Sequence, residues 1–354
     1  MRTESSQLVN PVSPHWILEK PEHPLPGSLL AILCGDWSYG IIPHCGPGIP
    51  EALWLNEGIF LHELSTALTS EGIYTLRLSS HEDGIPRPDD ALLSQSAGPE
   101  GVLTALKNLD PENSWDPSAM IFIGHGLGGY VHCQLASYGI RPGAFIFAGG
   151  IYSDLEVILS LKYLLPIEAR NIKEEREEAI IPDPCSQLIA ENIGSILHAI
   201  RRNRTRIHLQ NNSQSLDIPL DRMLFTGNET PKAMFRFVTS PTLIIHGASD
   251  LDVSVWNATS IEQSIRQVVH SPERIILEDR DHWFRIVPGT VGMHMQDRIT
   301  GKSFSYEPDN RIFNEYIGFI KRVYGLEETE KDSVKKSSAL NHNHRTTTTS
   351  KETS

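Results

Sequence analysis

Residues 118–130 read Ser-Ala-Met-Ile-Phe-Ile-Gly-His-Gly-Leu-Gly-Gly-Tyr. The apolar run from Met120 to Ile123 has the composition of a buried strand, and LGGYVHCQLASYG (127–139) continues as a helix. Between them Gly124, Gly126 and Gly128 compress the change of direction into a few residues. Such a glycine-bracketed turn raises its central side chain above the sheet edge, next to the backbone N–H of the following residue. Here the central residue is Gly126 and the following N–H belongs to Leu127. No side-chain oxygen or sulfur stands at position 126 to attack a substrate.

Working outward, strand-like and helix-like runs alternate. SLLAILCG (28–35), IYTLRLSS (73–80), PGAFIFAGG (142–150), PTLIIHG (241–247) and RIILED (274–279) read as strands. LNEGIFLHELSTALTSEG (55–72), PEGVLTALKNL (99–109), SVWNATSIEQSIRQ (254–267) and NRIFNEYIGFIKRVYG (310–325) read as helices. This alternation predicts an α/β protein with a mostly parallel sheet flanked by helices. From 151 to 238 the rhythm changes. DLEVILSLKYLL (154–165), RNIKEEREEA (170–179) and CSQLIAENIGSILHAIRRN (185–203) follow one another as helices with no strand between them. We therefore expect an N-terminal extension over 1–15, a core formed by 16–150 and 239–325, a helical lid over 151–238, and a disordered tail over 326–354.

Two further strand ends carry candidate chemistry. Asp250 closes Ile244-Ile245-His246-Gly247-Ala248-Ser249-Asp250, where a carboxylate can orient an imidazole and stabilise it when charged. His282 sits just past the last strand in Asp279-Arg280-Asp281-His282-Trp283-Phe284. The chain order of elbow, acid and histidine is the order in which one class of catalytic triad is laid out on a parallel sheet. Gly124, Gly126 and Gly129 also match G-x-G-x-x-G, a dinucleotide fingerprint. Two β-α units precede it, however, and the next strand ends Ala148-Gly149-Gly150 without the acidic residue that would hold a ribose. No cofactor is expected. His44, His81 and His125 lack ligand-like spacing, so no metal is expected either.

The chain from about 16 to 325 resembles the α/β-hydrolase superfamily. The resemblance is carried by GHGLGG for the family's GHSxGG, by LIIHGASD for the strand bearing the acid, and by DHW for the histidine loop. It implies an eight-stranded sheet under a lid, with catalytic His282 and Asp250 and with Gly126 at the nucleophile position. It also implies an oxyanion hole formed by the N–H of Leu127 and a second donor after SLLAILCG, at Asp36 or Trp37. Around the presumed pocket stand His125, Trp283 and Phe284.

Composition narrows the function further. The 354 residues carry a net charge of −13, which argues against a nucleic-acid partner. No run approaches a membrane span, and the N-terminus lacks an apolar signal segment, so a cytoplasmic protein is expected. The four cysteines show neither pairing nor metal-like spacing. Losing the serine of such a triad typically lowers turnover by ~10⁶, which excludes an efficient serine esterase, lipase or peptidase. The expected partner is a small or medium organic substrate. The reading is an enzyme that uses His282 and Asp250 for acid–base chemistry of lyase, cyclase or hydratase type. The alternatives are a serine hydrolase disabled at Gly126, and a non-catalytic binder or scaffold. The N-myc downstream-regulated family, similar in fold, also lacks the elbow serine. Oligomeric state is left open by the sequence.

Overall fold

The computed structural model describes residues 9–13, 16–35, 49–78, 98–109, 115–160, 164, 184–202, 204, 206–212, 215–220, 230–269, 271–287 and 309–327. Ten strands are present among them: β1 (Val9–Ser13), β2 (Trp16–Glu19), β3 (Leu30–Cys34), β4 (Tyr74–Leu78), β5 (Met120–His125), β6 (Ala144–Ala148), β7 (Arg206–Gln210), β8 (Ser215–Pro219), β9 (Thr242–Gly247) and β10 (Glu273–Leu277). The helices are α1 (Ile49–Ser70), α2 (Pro99–Asn108), α3 (Gly128–Ser137), α4 (Leu155–Leu159), α5 (Pro184–Glu191), α6 (Ile193–Arg201), α7 (Pro231–Met234), α8 (Trp256–Ile265) and α9 (Asn310–Val323).

Eight strands form one sheet in the order β1-β2-β4-β3-β5-β6-β9-β10. The pairs β1/β2 and β2/β4 are antiparallel and every other pair is parallel. This is the mostly parallel, helix-flanked sheet that the alternation of runs predicted. The four central strands β3, β5, β6 and β9 are buried along their whole length, which is why each reads as an unbroken apolar run. At the edge, β10 is only half-buried. Helix α9 packs Ile312, Phe313, Tyr316, Phe319 and Ile320 into the core at helical spacing. The hydroxyl of Tyr324 donates to the Ser118 and Met120 carbonyls, tying the end of α9 to the start of β5.

Three expectations need correction. Residues 9–13, placed in the N-terminal extension, form edge strand β1, paired with β2. Pro11 hid this strand, because proline is tolerated only on a strand edge or at an irregularity. The register indeed shifts between Pro11 and Ser13. The second correction concerns 151–238, which holds α4, α5, α6 and α7 but also the antiparallel hairpin β7/β8, a two-stranded sheet separate from the main one. The hairpin escaped notice because RIHLQ and SLDIP are short and polar, with Leu209 and Ile218 as their buried side chains. The helix read over 185–203 is also two helices, broken at Asn192, whose side-chain amide donates to the Leu188 carbonyl. The run 170–179 and residues 328–354 of the expected tail lie outside the described residues. Leu326 packs against the core.

Among the described residues, no helix is long and apolar enough to cross a membrane.

Candidate functional site

The carboxyl ends of β5, β6, β9 and β10 lie side by side, and open α/β sheets bind their ligands at that edge. Each strand end there is tied to its neighbour. The Gly126 N–H donates to the Ala148 carbonyl at 2.8 Å, and Gly149 to Ile245 at 2.9 Å. Ala248 donates to Leu277 at 2.8 Å and Ser249 to Arg280 at 2.9 Å.

The elbow has the form that the glycine pattern predicts. Gly126 has φ +51°, in the left-handed region that favours glycine. A Cβ on Gly124 would land on the backbone of Gly129, and one on Gly128 would overlap the Cys34 carbonyl. The bracketing glycines are thus imposed by backbone meeting backbone. Leu127 follows as the N-cap of α3, so its amide lies at the positive end of the helix dipole. Asp36 and Trp37, expected to supply a second oxyanion donor, lie outside the described residues.

The structure brings Asp250 and His282 together. His282 Nδ1–H donates to Asp250 Oδ2 at 2.7 Å, and both side chains are buried. Asp250 Oδ1 accepts the backbone N–H groups of Asp252 (2.8 Å) and Val253 (2.7 Å). His246 Nε2 reaches the Val253 carbonyl at 2.8 Å and stands 3.3 Å from Asp250 Oδ2. Burial alone would raise the Asp250 pKa. The charge of His282 and hydrogen bonds from both histidines outweigh it and hold the carboxyl far below the usual range. Asp250 is therefore a fixed anion, and it commits His282 to the tautomer protonated on Nδ1.

The loop carrying His282 is held from several sides. Asp281 Oδ1 accepts the N–H groups of Trp283 (3.1 Å) and Arg285 (2.9 Å), while Oδ2 accepts Arg285 Nε at 2.6 Å. Buried Arg280 pairs with Asp309, the N-cap of α9. Phe284 takes φ +58° to complete the turn. His125 Nε2–H donates to the His282 carbonyl at 2.7 Å, and its ring lies 5.2 Å from Phe60. Phe284 packs on the same Phe60 at 5.8 Å. His125 and Phe284, read from the sequence as pocket residues, are thus placed in the packing that supports the histidine loop. Trp283 carries the Arg285 guanidinium over its ring at 5.0 Å.

Sequence reasoning missed four contributors. His246 grips the acid from within the LIIHGASD motif, four residues earlier. Arg280 and Asp281 brace the histidine from within its own motif. Gly149, at the end of β6, has φ +55°, and a Cβ there would sit 3.1 Å from His282 Cε1 and Nδ1. The Gly-Gly pair ending that strand was the available signal for a close approach. Among the described residues, no group of three His, Cys, Asp or Glu side chains is placed to hold a metal ion.

No protein-family model matches this chain, and no curated protein matches it. Similar solved structures include the esterase domain of a Rhodothermus marinus protein (15% identity, TM-score 0.44, covering 76% of this chain and 84% of that one). Est1E from Butyrivibrio proteoclasticus is similar at 12% identity and TM-score 0.40, covering 81% and 91%. MenH from S. aureus is similar at 15% identity and TM-score 0.42, covering 88% and 100%. Likenesses at this level carry no information on chemistry, and the reading below stands on the site's own residues.

Proposed function

We propose that this protein is an α/β-hydrolase-type enzyme working by proton transfer through Asp250–His282, with no covalent nucleophile at the elbow. The observation that carries this reading is the buried 2.7 Å hydrogen bond from His282 to an acid whose other oxygen is already fixed by two backbone amides. With Nδ1 bound to Asp250, Nε2 is the nitrogen that would take a proton from a substrate carbon, hydroxyl or water. A positioned general base contributes roughly 10²–10⁴ in rate, so such a dyad can support lyase, cyclase or hydratase chemistry on its own. Glycine at 126 lacks the side-chain oxygen that a serine would place there. The Leu127 amide, at the head of α3, is suited to stabilise negative charge that develops on the substrate.

A disabled serine hydrolase is the second reading, favoured by the intact backbone shape of the elbow. Gly126→Ser separates the two. The wild-type chain should resist fluorophosphonate labelling, and under the proposal the variant should gain little labelling and little p-nitrophenyl ester turnover. A gain of several orders of magnitude would instead identify a serine enzyme that has lost its nucleophile.

A further inference from the structure

Between β6 and β9 in the chain, helix α6 and strand β7 lie in contact. On α6, Gly194, Ser195 and His198 share one face, while Ile193, Ile196 and Ile200 are buried on the other. On β7, Arg206 and His208 alternate with Ile207 and Leu209, and Leu209 is buried. The link between them is folded back by Arg204, whose N–H donates to the Ala199 carbonyl at 3.1 Å. An open cleft of about 540 Å³ lies between the two elements. Arg204, Arg206, His198, His208 and Ser195 line it, together with the apolar Ala199 and Ile207.

The charge of this cleft runs against that of the chain. The protein is acidic, at −13 overall, yet two arginines and two histidines line this cleft. Elsewhere the arginines are largely spoken for: Arg77 by Glu19, Arg266 and Arg274 by Glu262, Arg280 by Asp309, Arg285 by Asp281. Among the described residues, neither Arg204 nor Arg206 has a side-chain partner. Of the two imidazoles, His208 is engaged by Asp217 at 3.0 Å, on the facing strand. Guanidinium groups in a concave site match the bidentate geometry of phosphate and carboxylate oxygens.

We infer that this cleft binds a small organic anion, through a phosphoryl or carboxylate group gripped by Arg204 and Arg206. The site is separate from the Asp250–His282 dyad and stands whether or not that dyad is catalytic. The test is a titration of the full-length protein at constant ionic strength with inorganic phosphate, with succinate, and with chloride as the screening control. Saturable shifts of the His198 and His208 ring resonances are expected with phosphate or succinate, and the tighter of the two identifies the anionic group. Chloride should give none. Arg204→Gln with Arg206→Gln should weaken binding at least tenfold, whereas Lys20→Gln with Lys107→Gln, an equal change of charge on exposed residues elsewhere, should leave it unchanged. Non-saturating shifts, or equal weakening by both double variants, would overturn the inference. The ring resonances report on the unaltered protein, so the outcome does not hang on how any variant folds.

Discussion

The dyad edge of the sheet and the segment inserted between β6 and β9 are built on opposite terms. At the edge, four strand ends are cross-tied, the Asp250 carboxylate has partners on both oxygens, and the elbow glycines are dictated by backbone contact. In the insertion, short helices and a two-stranded hairpin carry an exposed His208–Asp217 pair and, among the described residues, two arginines without a side-chain partner. An over-determined edge is what proton transfer needs, since a displacement of ~1 Å can cost on the order of 10² in rate. A lightly built, variable segment is where recognition is usually placed. The β5–α3 turn is set by glycines at 124 and 128, where a Cβ would meet backbone, and by the positive φ of Gly126.

The largest expected effect breaks the rigid side of this comparison. Gly128→Ala would press a Cβ onto the Cys34 carbonyl, a backbone atom of a central strand, and should cost more than about 4 kcal/mol in denaturant unfolding. Gly149→Ala meets a side chain instead, the His282 imidazole at 3.1 Å, and adds left-handed strain of about 1–2 kcal/mol. It should fold, but with the low-field His282 Nδ1–H proton resonance shifted or lost. If both variants unfold alike, the distinction between backbone and side-chain contact is wrong.

A smaller effect is set by pH. His132 lies on α3 behind the elbow, stacked 4.7 Å from Phe122, and burial pushes its pKa down to about 4. The unfolded chain takes up a proton there below about pH 6.5, while the folded protein holds the ring neutral to about pH 4. Stability should therefore fall as pH drops from 6.5 towards 4, by up to about 3 kcal/mol. His62, lowered by burial and by Arg77, adds to the same trend. Asp250 does not, because a depressed carboxyl keeps its full contribution above about pH 4. Urea melts across this range should show a shallower slope for His132→Gln, and an unchanged slope would refute the assignment.

What the sequence revealed follows the same division. Strands β3, β5, β6 and β9 were legible because burial on both faces demands unbroken apolar runs. The elbow and the acid were legible because each follows such a run, and the histidine because it follows the apolar centre of half-buried β10. Edge strand β1, with its proline, and hairpin β7/β8, with few buried side chains, left no comparable trace. Nor could spacing reveal that His246 and Gly149 converge on the dyad, since that depends on the pairing of β9 with β6 and β10. The direction of His125 was likewise hidden. Its position suggested a pocket, but its hydrogen bond to the His282 carbonyl exists only once β5 and the histidine loop are adjacent.

The central claim is that His282 moves a proton for a substrate that never becomes attached to the protein. It is tested most directly by incubating a cellular metabolite extract with the wild-type protein and, in parallel, with His282→Ala, and following all metabolites by mass spectrometry. The account predicts a metabolite consumed by the wild-type chain without covalent labelling, at a rate lowered by roughly 10²–10⁴ in the variant. Consumption that is unaffected by loss of His282, or the absence of any consumed metabolite, would contradict it.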